Sequence, residues 1–430
     1  MQKETEMKLV AVELLKDGAV IGGDVYDGHT ILLRKGAAVT EKFLDGLKRR
    51  NVTHVSVLRT VADVIESTAT DIPPDGQLDA ESVITQSMRQ TVLGSHGNPD
   101  PSMLREYRQV EKNLYKAAEV ESCVDAELLD EVSGCVEDVF QRMTQGGSLE
   151  VEDIRAYTKD LIAQAIARPN AAVKLLDVGH FDKYTFLHSI NVGLLFVSVG
   201  SEFIPPEILE DVALGAVLHD IGKTAVPWEL ITKPGKLTDE EFEIVKRHPV
   251  ESERILREYG GFGKEAMDIA YLHHEKWDGT GYPLRLDSQS LSIYAQVAAA
   301  CDVYDALTTS RSYKQKMDFY TAMGIIVRGS GSHFSPKSVN LLSRRLGLYP
   351  VGSFVKLSTN ETAIVSEMTP DDLMRPKVKI VYDSENNPVR EPARLDIAKK
   401  SGVLIIRSLT TTDMMQLSVE SGGTNQTAAL

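Results

Sequence analysis

The chain has 430 residues, 42% of them apolar and 25% charged, an ordinary balance for a soluble globular protein of two or three domains. Its 47 Lys and Arg against 62 Asp and Glu leave a net charge of −15, which excludes broad electrostatic binding to a nucleic acid polymer or anionic lipid; an anionic ligand must be captured locally, by metals and a few basic groups. The longest apolar stretch, Val192 to Val199, is far shorter than the roughly 20 residues that cross a bilayer, so no membrane insertion is expected. No charged start followed by an apolar run marks a secretion signal, and Cys123, Cys135 and Cys301 form no CxxC pair; a cytoplasmic protein with small buried cysteines is expected.

From Lys8 to about Leu58 the chain carries short alternating apolar runs, VAVELL, TILLRKG and THVSVL, broken by turns such as Gly22-Gly23. This predicts small strands with one helix, Glu41 to Arg49, and hence a small α+β domain over 1–66. Pro73, Pro74 and Gly76, then a second breaker cluster from Ser95 to Pro101, make 67–102 a linker. A helical region over 103–168, interrupted near Gly146-Gly147, leads into long helix-periodic segments over 169–348. After Tyr349-Pro350 the runs SFVKLS, TAIVSEM, KVKIVYD and GVLIIRS predict a β-rich extension over 349–420, and the polar end, 421–430, is expected to be disordered. The expected fold class is multidomain: an all-α domain flanked by a small N-terminal α+β domain and a β-rich C-terminal extension. The helical stretch from Met103 to Ile166 suits subunit pairing and ordinary burial equally, so a homodimer or a regulatory protein partner stays open.

Six of the ten histidines lie between His180 and His274. Histidine is the commonest metal ligand, and an adjacent His219-Asp220 pair plus an adjacent His273-His274 pair exceeds what one tetrahedral ion can use. Pro205-Pro206 opens a helix that runs through Ala213, Leu214, Val217 and Leu218 into His219-Asp220, just before Gly222. Thr238 and Glu241 form a capping box for a helix carrying Phe242 and Val245 inward on the stripe of His248, which is expected to end that helix. Ile269 and Ala270 stand one turn before His273 and His274, placing both beside a buried stripe. A helix from about Ser292 to Leu307 sets Asp302 and Asp305 among small apolar residues, where a carboxylate is costly unless it meets a cation. His188 sits in the apolar run FLHSINVGLLF. One such histidine is more often a hydrogen-bonded core residue; seven such positions point to metal.

The series HSINV, HDIGK, KRHP, HHEKWDGTGYP and DVYDALTTSRSYK resembles the HD-GYP subgroup of the HD-domain phosphohydrolases over about residues 175–345, and HHExxDGxGYP is a highly specific signature. The resemblance implies that 169–348 is an HD-type helical catalytic domain that hydrolyses the bacterial second messenger cyclic di-GMP to pGpG, GMP or both by a metal-bridged hydroxide. It implies one ion held by His188, His219, Asp220 and Asp302 and a second by His248, His273 and His274, with Asp220 bridging. Trinuclear members carry a glutamate where this chain has Tyr184, so two divalent transition-metal ions are expected. A nitrogen-rich set without thiolate fits Fe, Mn, Co or Ni better than Mg or Ca, and the resemblance favours iron or manganese. The family's FDP triplet reads Phe334-Ser335-Pro336, a change expected to lie outside the site.

The resemblance also makes Lys223 the residue that faces the leaving group, as proton donor or electrostatic clamp, and makes Arg311 and Lys314 the grips on substrate phosphate. In the GYP loop, Gly279 and Gly281 allow positive φ and close backbone approach, and Tyr282 is expected to lie against a guanine or to hydrogen-bond a phosphate. Glu275, Asp278 and Asp305 are expected to orient ligand histidines or basic groups. Two rivals stand beside this reading: a cyclic di-GMP receptor without turnover, and an HD-type hydrolase of another cyclic dinucleotide.

Overall fold

The computed structural model describes residues 6–11, 25–27, 30–33, 54–59, 110–120, 122–168, 184–231, 233, 237–309, 317–369 and 372–420. The chain divides into two units, Met1–Gln77 and Leu78–Leu430. In the first, β1 (Glu6–Ala11) pairs antiparallel with β4 (His54–Arg59), and β2 (Val25–Asp27) pairs antiparallel with β3 (Thr30–Leu33). These strands fall within or beside the three alternating runs. The expected helix at Glu41–Arg49, the linker 67–102 and the tail 421–430 lie outside the described residues.

In the second unit the described residues between 110 and 346 are mainly helical. Its helices are α1 (Ala126–Thr144), α2 (Val151–Ala167), α3 (Tyr184–Gly200), α4 (Pro206–Val217), α5 (Trp228–Ile231), α6 (Asp239–Val245), α7 (His248–Tyr259), α8 (Lys264–Leu272), α9 (Ile293–Thr308), α10 (Phe319–Arg328) and α11 (Pro336–Leu346), with a 3-10 turn at Ile221–Ala225. Helix α3 packs on α4 and α9, and α8 packs on α4, α7 and α9, so the most apolar helices form the centre. Small residues let α9 approach closely: Ala295, Ala298, Ala299 and Ala300 are all buried. The 3-10 turn lies against the start of α7, where a Cβ on Gly222 would stand 2.0 Å from the His248 carbonyl oxygen; no larger residue fits there without a backbone shift.

The Thr238 and Glu241 capping box forms as the sequence predicts, with Thr238 N–H donating to Glu241 and Glu241 N–H donating to Thr238 Oγ1. His248 does not end that helix. It opens α7, because Pro249 has no N–H to donate and its fixed φ suits a first helical turn better than a last one.

Beyond α11 the chain builds an antiparallel sheet in the order β8-β7-β6-β5-β9, from β5 (Phe354–Leu357), β6 (Thr362–Glu367), β7 (Lys377–Tyr382), β8 (Arg394–Asp396) and β9 (Ile405–Ser408). A helix, α12 (Thr411–Glu420), follows it, which the β-rich reading of 349–420 does not anticipate. Its signal is local: Asp413 N–H donates to Thr410 Oγ1 while Thr410 N–H donates to Asp413 Oδ2. Met414, Met415 and Leu417 then pack with Phe354, Ile364 and Tyr382, and also with Val110, Leu114 and Ala118. The helical residues 110–117 thus lean on the C-terminal sheet; Tyr115 OH donates to the Gly352 carbonyl at 2.7 Å and Glu119 pairs with Lys379 at 2.6 Å.

Candidate metal centre

The seven side chains expected as ligands converge on one buried cluster from five different places in the fold. His188 comes from the first half of α3, His219 and Asp220 from the turn after α4, and His248 from the first residue of α7. His273 and His274 follow α8, and Asp302 lies two-thirds along α9. All are buried in the protein interior. Two groups of metal-ligating atoms result, one of Asp220, His248, His273 and His274 and one of His188, His219 and Asp220.

Asp220 lies between the two groups and serves both. Its Oδ1 is 3.3 Å from His248 Nε2 and 3.9 Å from His273 Nε2, while its Oδ2 is 3.4 Å from His219 Nε2 and 3.9 Å from His188 Nε2. Asp302 Oδ1 stands 3.0 Å from His188 Nε2. Burial works against the Asp220 carboxylate, yet the Lys223 ammonium that donates to its Oδ2 holds it well below the usual carboxylate range. Asp302 is held low against the same burial by its hydrogen bond with His188.

Backbone carbonyls set the tautomers of three rings. His219 Nδ1 lies 2.7 Å from Ala216 O, His248 Nδ1 2.8 Å from Val245 O, and His273 Nδ1 3.1 Å from Ala270 O. A carbonyl oxygen only accepts, so each Nδ1 carries a proton and each ring turns its Nε2 inward. The His248 and His273 lone pairs face each other, Nε2 to Nε2 at 3.3 Å, and His274 Nε2 lies 3.0 Å from His248 Nε2. Burial pushes His248 down to about 4, His273 to about 3 and His274 well below the usual imidazole range, so protons do not neutralise the crowding. His219 Nε2, Asp220 Oδ1 and His274 Nδ1 are buried with no hydrogen-bond partner. Converging, unprotonated donors of this kind fit divalent transition-metal ions.

His188 differs from the others. Burial lowers its pKa, but Asp302 on one ring nitrogen and Asp305 on the other outweigh that and bring it up to about 9. Asp305 Oδ2 is 2.6 Å from His188 Nδ1, and its other oxygen accepts from Asn191 Nδ2 at 2.8 Å and Thr309 Oγ1 at 2.7 Å. Asp305 therefore fixes the orientation of His188.

Glu275 and Asp278 touch no ligand histidine. Glu275 is buried and accepts the backbone N–H groups of Leu284, Arg285 and Leu286, so it pins the chain that leaves the GYP segment. Asp278 accepts from Thr280 N–H and Thr280 Oγ1, closing its own turn. Gly279 has φ +79, whereas Gly281 meets its need through close approach: a Cβ there would lie 2.3 Å from Lys276 N. The Tyr282 ring stacks on His274 at 4.8 Å and meets Phe242 edge-on at 6.4 Å. Burial of its hydroxyl, and then Asp302, Asp220 and Glu243, push Tyr282 well above the usual phenol range. Arg311 and Lys314 lie outside the described residues.

One buried residue beside these was missed in sequence. His333 is 5% exposed, its Nε2 has no hydrogen-bond partner, and its backbone carbonyl accepts from Trp277 N–H, so it backs the HHEKWDG segment. Its only sequence signal is that it stands next to the FSP triplet.

Residues 201–338 match a family model described as HD domain, and residues 354–417 match a KOW domain associated with HD domain. Among curated proteins, the chain is 32% identical over 260 residues to a cyclic di-GMP phosphodiesterase of Pseudomonas aeruginosa, covering 60% of this chain and 63% of that one. It is 43% identical over 145 residues to a cyclic di-GMP phosphodiesterase of Vibrio cholerae, covering 32% of this chain and 30% of that one. It is also 28% identical over 300 residues to a 3'3'-cGAMP-specific phosphodiesterase of Vibrio cholerae, covering 69% of this chain and 54% of that one. The chain thus spans less than two thirds of the length of each of these relatives.

Proposed function

We propose, on the match of residues 201–338 to a family model described as HD domain, that this chain is a metal-dependent phosphodiesterase of cyclic di-GMP. The observation that carries the reading is Asp220, whose two oxygens face two separate groups of histidines inside one buried cluster. The names of the Pseudomonas and Vibrio relatives support the substrate. Two ions, iron or manganese, would be held by His188, His219, Asp220 and Asp302 and by Asp220, His248, His273 and His274. When bound, such a pair supplies Lewis-acid polarisation of phosphoryl oxygens and a water acidic enough to attack phosphorus.

The chain's own residues do the rest. Ala216, Val245 and Ala270 carbonyls hold three imidazoles with Nε2 inward, and Asp305 does the same for His188. Lys223 carries a proton at Nζ beside Asp220 and can pass it to the departing ribose oxygen. Glu275 holds the 284–286 backbone after the GYP segment in one conformation. Arg311 and Lys314 would grip phosphate. The domain limits read from sequence, with catalysis in 169–348, and a cytoplasmic location belong to the same proposal.

Chromatography of products after incubating Mn(II)-loaded or anaerobically Fe(II)-loaded protein with cyclic di-GMP tests it. pGpG or GMP, lost on chelation, is the expected result; tight binding without product would favour the receptor. A second reading, hydrolysis of 3'3'-cGAMP, is favoured by the relative whose match extends over 300 residues. Rates on the two dinucleotides side by side separate them.

A further inference from the structure

The Tyr282 ring is already engaged. His274 stacks on it at 4.8 Å, and the Lys246 ammonium lies over it with Nζ 5.6 Å from the ring centre and 5.1 Å from that of Phe242. A purine stacking on the face that carries the ammonium would have to displace it. Tyr282 thus contacts both His274 of the cluster and Lys246. Lys246 is also the next residue but one before the ligand His248, on the turn between α6 and α7, so its backbone is fixed by the cluster itself.

Its partner is weakly held. Lys246 pairs with Glu243 three residues earlier, and the two side chains are 25% and 66% exposed. An exposed ion pair of this kind contributes little, so exchanging Glu243 for another anion costs little. A lysine ammonium is a compact point charge that suits a phosphate, and on a chain of net charge −15 a cation beside the centre matters more than it would on a basic surface. A cyclic dinucleotide carries two phosphodiesters, so with one at the metal centre the other is left for a second cation nearby.

We infer that Lys246 is a substrate-binding residue that leaves Glu243 to hold the phosphodiester not undergoing cleavage, while Tyr282 positions His274 rather than serving as a platform for guanine. This rests on the proposed reading of the centre as a cyclic dinucleotide phosphodiesterase. It assigns recognition of the second phosphate to the α6–α7 turn.

The test compares steady-state kinetics of the Mn(II)-loaded full chain on cyclic di-GMP and on bis(p-nitrophenyl) phosphate, which has a single phosphodiester. Lys246→Gln should raise KM for cyclic di-GMP about tenfold, the size expected for a lost charge-assisted contact, and raise it far less for the single diester. Lys246→Arg should recover most of that KM, and Glu243→Gln, which frees the ammonium, should lower it. A KM for cyclic di-GMP in Lys246→Gln within about twofold of wild type would overturn the inference and leave the functional reading standing. So would an equal fall in kcat on both substrates with loss of bound metal, because Lys246 would then only brace Tyr282 and His274. If the wild-type holoprotein cleaves the single diester but not cyclic di-GMP, the functional reading fails and this inference with it.

Discussion

His248 Nε2 and His273 Nε2 face each other across 3.3 Å, and both rings donate their Nδ1–H to backbone carbonyls behind them. Two lone pairs at that distance repel, and a divalent cation accepting both turns the repulsion into attraction. Metal should therefore stabilise the folded chain. At a free concentration about 100 times Kd the gain is about 2.7 kcal/mol, which for a domain of this size moves Tm up by roughly 5–10 °C. Calorimetry with Mn(II) and with chelator checks it, and His273→Ala should remove most of the shift. An unchanged Tm on loading would mean that the cluster holds no ion.

Asp305 reaches the centre only through His188. Asp305→Asn keeps the shape and the bonds available to Asn191 and Thr309 but loses the negative charge behind the imidazole. Carboxylates in this position are worth about 10–100-fold in metal affinity or activity. The expected outcome is a loss of that size with the fold retained, read from metal titration and circular dichroism together. Full affinity in the variant would assign Asp305 to packing alone.

The two carboxylates around His188 also give metal loading a pH dependence. Its folded pKa, about 9, lies above the unfolded value, so the proton is held through neutrality and the stability it contributes in the metal-free protein is lost as pH rises through about 9. A metal must displace that proton, whereas His248 and His273, at about 4 and about 3, have none to give. Apparent affinity should thus climb from pH 7 toward pH 9, by at most about tenfold per pH unit, with close to one proton released per chain at pH 7. Calorimetric titration in buffers of different ionisation enthalpy counts the proton; a count of zero would contradict the arrangement.

Glu275 makes the clearest structural prediction. Glu275→Ala leaves three backbone N–H groups without their carboxylate. Bonds to a charged acceptor contribute about 1.5–3 kcal/mol each, partly recovered here by water, so a loss of about 2 kcal/mol or more in urea unfolding is expected, together with a raised KM. Unchanged stability would show that the 284–286 segment is held by other contacts.

How much of this is legible in sequence depends on how local the signal is. The ligand histidines stand beside apolar helical stripes and next to breakers such as Gly222, and the capping box at Thr238 is complete within four residues. His248 is misread at the helix level because the pause between α6 and α7 is only two residues long, and a continuous stripe hides it; the proline that marks the restart is equally a stop signal. Glu275 is misassigned because its partners are backbone groups about ten residues ahead, brought back by a turn that periodicity does not encode. The same holds for residues 110–117, whose contacts lie more than 230 positions away in the C-terminal sheet. His333, a lone histidine in a loop, offers no pattern at all.

One carboxylate, Asp220, faces both halves of the centre, and its loss should remove metal and phosphodiester cleavage together. The most direct test measures metal per chain by mass spectrometry beside cyclic di-GMP turnover, in wild type and in Asp220→Ala, before and after chelation and readdition. Two ions per chain in wild type, turnover that disappears and returns with them, and loss of both metal and turnover in the variant are the results expected of this arrangement. Turnover in the chelated protein, or full turnover in Asp220→Ala, would contradict it.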